Sequence, residues 1–247
     1  NEGFDTNLIH ISPNAHIITE SHKEEDKKYY TKQQGSTGKG IALCARDKYA
    51  RKGILICNYN SSERLLDFNP NMFLETSSLF GTILCEGAQG VWLDINKGNY
   101  PYVTSSLTLP YSACSLGFAP QKIRNIYGAA KIYDTRVGVD PFFPESLIED
   151  SDLSKIAELG NEFGSTTNRL RKVNWLNLDK LIESIQITGT THIIISKIDV
   201  LKQLSKFKLY HHSNKTDFNT INEMCDYINK SITAECSLVQ KIIFSNT

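Results

Sequence analysis

Short β-branched runs alternate with amphipathic stretches along this chain, and that alternation limits its possible folds more than any other feature of the sequence. The runs are typical of buried strands; they are Ile54–Cys57, Gly81–Cys85, Ile123–Ile132, Thr191–Ser196, Lys206–Tyr210 and Gln240–Phe244. Apolar residues at helical spacing predict helices over Leu178–Ile187 and Phe218–Ile232. Together they indicate an α/β protein with a mainly parallel central sheet flanked by helices. Parallel sheets bind ligands at the carboxyl ends of their strands, so we expect functional side chains in the loops there.

Composition excludes several classes of protein. With 247 residues and 40% hydrophobic side chains, the chain can bury one sizeable core, and we expect residues 1–247 to form a single domain. The 27 basic and 27 acidic residues balance, so no global field points to nucleic acid or a membrane surface. The six cysteines lack CxxC spacing, form no zinc-ligand pattern, and are interpreted as reduced thiols. No apolar run approaches the roughly 20 residues that span a bilayer, so we expect a cytoplasmic protein.

Both ends of the chain have the character of interior sequence. The first residue is Asn1, and the last residues form an apolar run, Lys241–Phe244, that reads as a buried strand beside the chain end. We therefore expect the sequence to begin and end inside a larger protein.

The first functional motif is the glycine-rich segment Gly35–Gly40. Small residues let backbone N–H groups approach a phosphate, the hydroxyl of Ser36 or Thr37 can donate to it, and Lys39 supplies charge. The segment is not a Walker A loop, which needs Ser or Thr after the lysine, where this chain has Gly40. On its own, such a run is as typical of a flexible turn.

The second motif is Glu86–Asn96, which follows a predicted strand and contains Gln89. The Glu-Gly-Ala-Gln-Gly sequence places an amide and a tight backbone at the strand end, which suits recognition of a base carbonyl. An ordinary junction between strand and loop would look the same. Tyr100–Ser106, with Thr104, follows soon after.

The third motif is Gly160–Leu176, in which hydroxyl residues are followed by alternating cations. Guanidinium groups offer paired donors, so Arg169 and Arg171 suit a carboxylate or a phosphate. The alternative is a solvated basic loop.

The fourth motif, Ser196–Leu201, follows the predicted strand Thr191–Ser196. A carboxylate at Asp199 can accept hydrogen bonds from N1–H and the 2-amino group of guanine, a donor pair that adenine lacks, while the Lys197 stem lies against the ring. In isolation, such a Lys and Asp are also typical of a helix cap and a surface charge.

In this order and at these separations, the four segments together resemble the adenylosuccinate synthetase family. The resemblance extends from Leu8 to the final strand and includes Asp134–Gly138 and Phe142–Glu145. The stretch between Gly53 and Glu86 is similar to the compact archaeal and viral forms. The resemblance implies a P-loop-NTPase-like synthetase fold, lacking here the family's N-terminal phosphate loop and its last C-terminal segment.

The resemblance also implies an activity. Members of this family are ligases that form a C–N bond: GTP phosphorylates the 6-oxygen of IMP, and L-aspartate then displaces the phosphate on the way to AMP. Mg2+ is the implied cofactor. Its ligands, like the family's catalytic Asp and His, are expected in the absent N-terminal region and on GTP, so no metal ligand is expected in this chain.

Residue by residue, the resemblance assigns three binding sets. The IMP contacts would be Thr37, Arg51, Gln89, Thr104 and Arg169; Gln89 would also be catalytic, stabilising charge at the 6-oxygen. The aspartate-binding loop would be Ser165, Thr166, Thr167, Asn168, Arg169, Leu170 and Arg171. The GTP contacts would be Arg171, Lys197, Ile198 and Asp199.

Arg51 matches a family arginine that reaches the partner's IMP, which implies a homodimer with shared sites. The sequence departs from the family at Lys39, Asn168 and Leu170, where arginine, glycine and arginine are common. Two other functions stay open: a non-catalytic nucleotide-binding relative, and a phage-type synthetase that uses dGMP.

Overall fold

The computed structural model describes residues 8–31, 35–58, 74–75, 78–164 and 169–246. The chain forms two compact units: residues 1–96 with 103–122, and residues 97–102 with 123–247. The expectation of a single domain over 1–247 stays a prediction. No helix within the described ranges is both long and apolar enough to cross a membrane.

The described part of the first unit contains two α-helices, α1 (Glu20–Tyr29) and α2 (Ile41–Tyr49). Helix α1 begins with a reciprocal cap: Thr19 Oγ1 accepts from the His22 N–H, and His22 Nδ1 accepts from the Thr19 N–H. Helix α2 begins after Gly40, whose φ is 78°. The remaining regular structure described in this unit is short 3-10 helices, at Ile56–Asn58, Val91–Leu93, Pro110–Leu116 and Pro120–Lys122.

The described part of the second unit carries two sheets. Its seven strands are β1 (Tyr127–Lys131), β2 (Tyr133–Arg136), β3 (Lys172–Asn177), β4 (His192–Ser196), β5 (Phe207–His211), β6 (Asn214–Phe218) and β7 (Lys241–Phe244). One sheet is entirely parallel, in the order β1-β4-β7. The other runs β2-β3-β5-β6, with a parallel central pair and antiparallel outer pairs.

Four α-helices are described in the second unit: α3 (Ser151–Leu159), α4 (Leu178–Thr188), α5 (Ile198–Leu204) and α6 (Ile221–Glu235). Sheets and helices bury one hydrophobic core, whose largest members are almost fully inaccessible: Tyr133, Trp175, Leu178, Ile195, Leu209, Met224 and Ile228. Burying an aliphatic side chain of this size contributes about 1.5–3 kcal/mol. The predicted α/β class, with a parallel sheet flanked by helices, is confirmed.

Four of the six predicted strands are confirmed with shifted ends, as β1, β4, β5 and β7. The other two predictions were wrong. Ile54–Cys57 makes a single bridge, between Leu55 and His16, and then turns into a 3-10 helix. Gly81–Cys85 has no strand partner among the described residues and is exposed throughout. An apolar run becomes a strand only where a neighbour satisfies its backbone groups.

Both predicted helices are confirmed as α4 and α6. Helix α6 begins at Ile221, three residues after the predicted start, because Phe218 is the last residue of β6 and Thr220 is the cap. The Thr220 hydroxyl accepts from the Glu223 N–H at 3.2 Å and thereby fixes the first turn.

Candidate functional site

The carboxyl ends of β1 and β4 lie side by side, with Lys131 paired in register with Ser196. The chain leaves β4 through Lys197, whose φ of 67° is in the left-handed region, and enters α5 at Ile198. Asp199 lies in the first turn of that helix. This conformation, rare for a non-glycine residue, brings a cation and a carboxylate to the same edge of the sheet.

The two polar groups at this edge differ in their partners. Lys197 Nζ donates to the Gly160 carbonyl at 3.2 Å, which ties the turn after β4 to the segment after α3. Asp199 Oδ1 is buried and has no hydrogen-bond partner in the described parts of the chain. Buried polar atoms are nearly always paired, so an unpaired carboxylate oxygen marks a place where a donor is expected.

Glu162 forms the centre of a buried ionic cluster next to this edge. The residue is 1% exposed, and its carboxylate accepts from Lys131 Nζ at 2.6 and 2.7 Å, from the Tyr133 hydroxyl at 2.7 Å and from Arg171 Nη1 at 2.9 Å. One carboxylate therefore positions two cations, one at the end of β1 and one directly before β3.

Burial and hydrogen bonding act in opposite directions on this cluster. Burial disfavours the charged form of Glu162, but the donors Lys131 and Tyr133 outweigh it and hold the pKa of the carboxyl below its usual range. Burial, followed by the hydrogen bond to Glu162, raises the pKa of Tyr133. Glu162 is therefore ionised and Tyr133 neutral at physiological pH.

The predicted aspartate-binding loop begins and ends at this cluster. The Gly164 N–H donates to the Arg169 carbonyl at 2.8 Å, and the Arg171 N–H donates to the Glu162 carbonyl at 2.9 Å. Arg169 and Leu170 are exposed. The other predicted loop residues, Ser165, Thr166, Thr167 and Asn168, lie outside the described residues.

In the first unit, the predicted phosphate loop is held by an acid that the sequence did not single out. Asp26, 1% exposed, accepts from Ser36 Oγ at 2.6 Å and from the Gly40 N–H at 2.7 Å. The suggestion that Ser36 donates to a phosphate is therefore not supported, because its hydroxyl already donates to Asp26 of α1. Thr37 and Lys39 are exposed.

The segment around Gln89 is joined to the one that contains Thr104. Thr104 donates its N–H to the Leu93 carbonyl at 2.8 Å, and Thr108 Oγ1 donates to the Gly90 carbonyl at 3.0 Å. Between them, fully buried Asp94 accepts from the Thr108 N–H at 2.7 Å. Gln89 itself is exposed, with a φ of 65°.

Arg51 lies just after α2, is exposed, and has a φ of 60°. Its N–H donates to the Lys48 carbonyl at 3.0 Å, so the turn at the helix end sets its position. Within the described residues, no acidic side chain forms an ion pair with the guanidinium group of Arg51.

Sequence reasoning missed the residues that support these sites, namely Asp26, Lys131, Tyr133 and Glu162. The signal that could have found Glu162 is its place inside the third motif, directly before the loop. Two of its partners, Lys131 and Tyr133, come from β1 and β2, about 30 residues earlier, and only the folded chain brings them to Glu162.

The comparisons with known proteins agree with this arrangement. A model of the family described as adenylosuccinate synthetase matches residues 1–80 and 71–240. An adenylosuccinate synthetase of Azobacteroides pseudotrichonymphae is 35% identical over 245 residues, which is 81% of this chain and 58% of that protein. The corresponding enzyme of Cytophaga hutchinsonii is 36% identical over 85% of this chain and 60% of its own length. The chain thus spans somewhat more than half the length of these relatives.

Two solved structures share the fold. The fully ligated adenylosuccinate synthetase of Plasmodium falciparum superposes with a TM-score of 0.76 at 24% identity, over 95% of this chain and 74% of that one. The succinoaminodeoxyadenylate synthetase of cyanophage S-2L gives a TM-score of 0.61 at 18% identity, over 94% and 63%. With the family model covering most of its length and relatives above one-third identity, this chain belongs to the adenylosuccinate synthetase family.

Proposed function

We propose that this chain provides the nucleotide and aspartate recognition of an adenylosuccinate synthetase, a ligase that uses GTP to join L-aspartate to IMP through 6-phosphoryl-IMP. The observation that carries the proposal is the buried, unpaired Oδ1 of Asp199 at the carboxyl ends of the parallel strands. Leaving such an atom unpaired costs about 1–3 kcal/mol, which a suitable ligand returns on binding.

Guanine supplies the hydrogen-bond donors that Asp199 lacks. Its N1–H and 2-amino groups donate in parallel to a carboxylate, whereas adenine presents an acceptor at N1 and no 2-amino group. Lys197 is held by the Gly160 carbonyl, so its aliphatic stem is fixed at the same edge and can cover the face of the base. We infer that Asp199 selects the base and that Lys197 and Ile198 border it.

The cations beside this edge suit the anionic groups of the substrates. Glu162 fixes the guanidinium of Arg171 through Nη1, and the remaining donors of that group stay available for a carboxylate or phosphate oxygen. Arg169, on the exposed end of the same loop, is available for the ribose of IMP. We propose that aspartate binds to the loop 165–171 and that Arg171 contacts both aspartate and GTP.

In the first unit, we propose that Thr37 binds the IMP phosphate and that Gln89 donates its amide to the 6-oxygen. The Asp26 hydrogen bonds fix the backbone on both sides of Thr37, which presets the loop for an anion. The Leu93 to Thr104 hydrogen bond similarly supports the segment that carries Gln89. A preformed donor at the 6-oxygen stabilises the charge that develops as it attacks the phosphoryl group.

The family uses Mg2+, but the cluster at the strand ends does not fit that ion. All the hydrogen bonds that fix its buried carboxylate, Glu162, come from Lys131, Tyr133 and Arg171, and two of these donors are cations. Hard divalent cations need several free oxygens. We therefore assign no step of the reaction in this cluster to magnesium.

We propose that the enzyme is a cytoplasmic homodimer. The six cysteines are all free thiols, as is usual in reducing compartments. Arg51 is exposed and held by the end of α2, which leaves it able to reach the IMP of a partner chain.

Calorimetric titration of the full chain with GTP and with ATP tests this function. We expect GTP to bind at least tenfold more tightly, because ATP cannot satisfy Asp199. Equal affinities would contradict the proposal. A parallel assay of product formation from IMP or dGMP, on the enzyme that includes the N-terminal region, separates the catalytic form from its alternatives: GTP-selective binding without turnover favours the non-catalytic relative, and turnover only with dGMP favours the phage type.

A further inference from the structure

The tight turn between β5 and β6 places two histidines beside two acids from different helices. His211 ends β5 and His212 follows it, Asp179 lies in the first turn of α4, and Glu235 is the last residue of α6. The imidazole rings of His211 and His212 stack with their centroids 3.8 Å apart. This cluster has no part in the proposed nucleotide and aspartate sites.

The potential ligand atoms converge on one point. One atom from each of Asp179, His211 and His212 lies within 4.8 Å of the others. Asp179 Oδ1 is 3.4 Å from His212 Nδ1 and 3.8 Å from His211 Nε2, and Glu235 Oε1 is also 3.8 Å from His211 Nε2. Three donors, from Asp179, His211 and His212, thus surround a small space, and Glu235 adjoins it on the His211 side.

His211 supplies an independent sign that something is bound there. The residue is 6% exposed, and its Nε2 has no hydrogen-bond partner in the described part of the chain. Its Nδ1 lies 2.8 Å from the Tyr227 hydroxyl. When Nδ1–H donates to Tyr227, Nε2 presents a lone pair toward two carboxylate oxygens, an arrangement that only a cation between them makes favourable.

A charged imidazolium explains the geometry less well. Its Nε2–H would draw a carboxylate to about 2.8 Å, the usual length of a charge-assisted hydrogen bond, yet both Asp179 and Glu235 stop at 3.8 Å. Ligands about 2.0–2.1 Å from a tetrahedral ion are separated by about 3.4 Å. The His212 to Asp179 distance already has that value, and the other two need to shorten by only a few tenths of an ångström.

We propose that Asp179, His211, His212 and Glu235 bind a divalent transition-metal ion of the zinc type. Two imidazoles with carboxylates favour zinc over calcium or magnesium, which prefer oxygen alone. The supporting contacts are present: Tyr227 orients His211, and Asp179 Oδ2 accepts from the His212 N–H at 2.8 Å. The ion ties α4, α6 and the β5–β6 turn together and stabilises the second unit.

The sequence gives no sign of this site. Its ligands come from positions separated by more than 20 residues on either side of the histidine pair, so no compact spacing motif exists. The turn itself is unusual, because His212 and Ser213 both have positive φ, at 50° and 62°. At this turn the His212 N–H donates to Asp179 Oδ2, and the His212 Nδ1 lies 3.4 Å from Asp179 Oδ1.

Titration of the metal-free full chain with zinc chloride, followed by calorimetry and thermal unfolding, tests the site. We expect one strong site and a higher Tm with zinc. His212→Ala should weaken binding at least tenfold without harming the fold, because that side chain is 71% exposed. Asp179→Asn should weaken binding as well.

Matched controls are His10→Ala and Asp217→Asn, which remove an exposed histidine and an exposed carboxylate outside the cluster. Both should bind zinc like the parent chain. Cobalt(II) in place of zinc should give the visible absorption of a tetrahedral nitrogen and oxygen site without thiolate bands, which excludes cysteine ligands. No binding by the parent, or equal binding by His212→Ala and His10→Ala, would overturn the proposal.

Discussion

Replacing Glu162 by glutamine tests the ionic cluster beside the carboxyl ends of β1 and β4. The amide keeps the size of the side chain but loses its charge and one acceptor, so Lys131 and Arg171 lose their counter-ion inside the protein. Breaking a buried ion pair from one side costs about 3–5 kcal/mol. The side chains of Lys131 and Arg171 are 23% and 29% exposed, so water relieves part of that loss. We therefore expect the free energy of unfolding to fall by about 3 kcal/mol.

Urea unfolding of the second unit measures this loss. Trp175 is 2% exposed in its core, so fluorescence in a Trp92→Phe background reports that unit alone. The matched control is Glu158→Gln, which neutralises an exposed glutamate of α3 and should change stability by less than about 0.5 kcal/mol. Equal stability of the two variants would refute the reasoning.

The pH dependence of the same variant tests the direction in which folding shifts the pKa of Glu162. Folding lowers the pKa of Glu162, so its contribution is present above the unfolded value of 4.5 and is lost as the pH falls through the folded pKa. The stability difference between the parent and Glu162→Gln should therefore shrink below about pH 4.5. A difference that stays constant into acid would show that the cluster does not act through the carboxylate charge.

Three further predictions concern other parts of the chain. Burial raises the pKa of Asp134 from 3.8 to about 7. As the pH rises through this range, the parent should therefore lose stability relative to Asp134→Asn, by about 2 kcal/mol once the partial exposure of Asp134 is discounted. Equal stability profiles of the two proteins in parallel urea titrations would contradict this. Gly40→Ala should destabilise the first unit by about 1–3 kcal/mol, because φ is 78° and a Cβ would lie 2.9 Å from both His22 and Ile18. The control Gly87→Ala, whose added Cβ would have its nearest contact at 3.9 Å, should be nearly neutral in thermal unfolding. In the complete enzyme, with its N-terminal region, mixing Arg51→Leu chains with Gln89→Ala chains should restore part of the synthetase activity that each lacks alone, and no recovery would argue against a shared site.

The sequence predicted those parts of the fold that depend on local pattern. Period and length identified α4, α6 and most of the parallel strands, because a buried strand or an amphipathic helix needs a particular spacing of apolar residues. The errors came in segments where strand formation depends on pairing with a neighbouring strand. Gly81–Cys85 has the composition of a strand but no neighbour in the described structure. The sequence analysis missed β3 as well as β2 and β6, which are polar outer strands that pair with β3 and β5.

The sequence suggested the ligand contacts proposed for the candidate site but gave no sign of the residues that support them. Lys197 and Asp199 stand out because they follow a strand directly, which is a local signal. Asp26 and Glu162 look like ordinary surface acids in the sequence. Only the folded chain shows that they are 1% exposed, that Asp26 holds the glycine-rich segment Gly35–Gly40, and that Glu162 holds two cations. Burial of a charge depends on partners from distant segments, so no short motif records it.

The exchange of base specificity at Asp199 tests the central claim most directly. Asp199→Asn exchanges a pure acceptor for an amide, which can donate to the 2-carbonyl of xanthine in place of accepting from the 2-amino group of guanine. In calorimetric titrations we expect this variant to bind GTP more than tenfold more weakly, since a hydrogen bond to a charged group contributes about 1.5–3 kcal/mol, and to bind xanthosine triphosphate better than the parent does. Unchanged GTP affinity, with no gain for the xanthine nucleotide, would contradict the account.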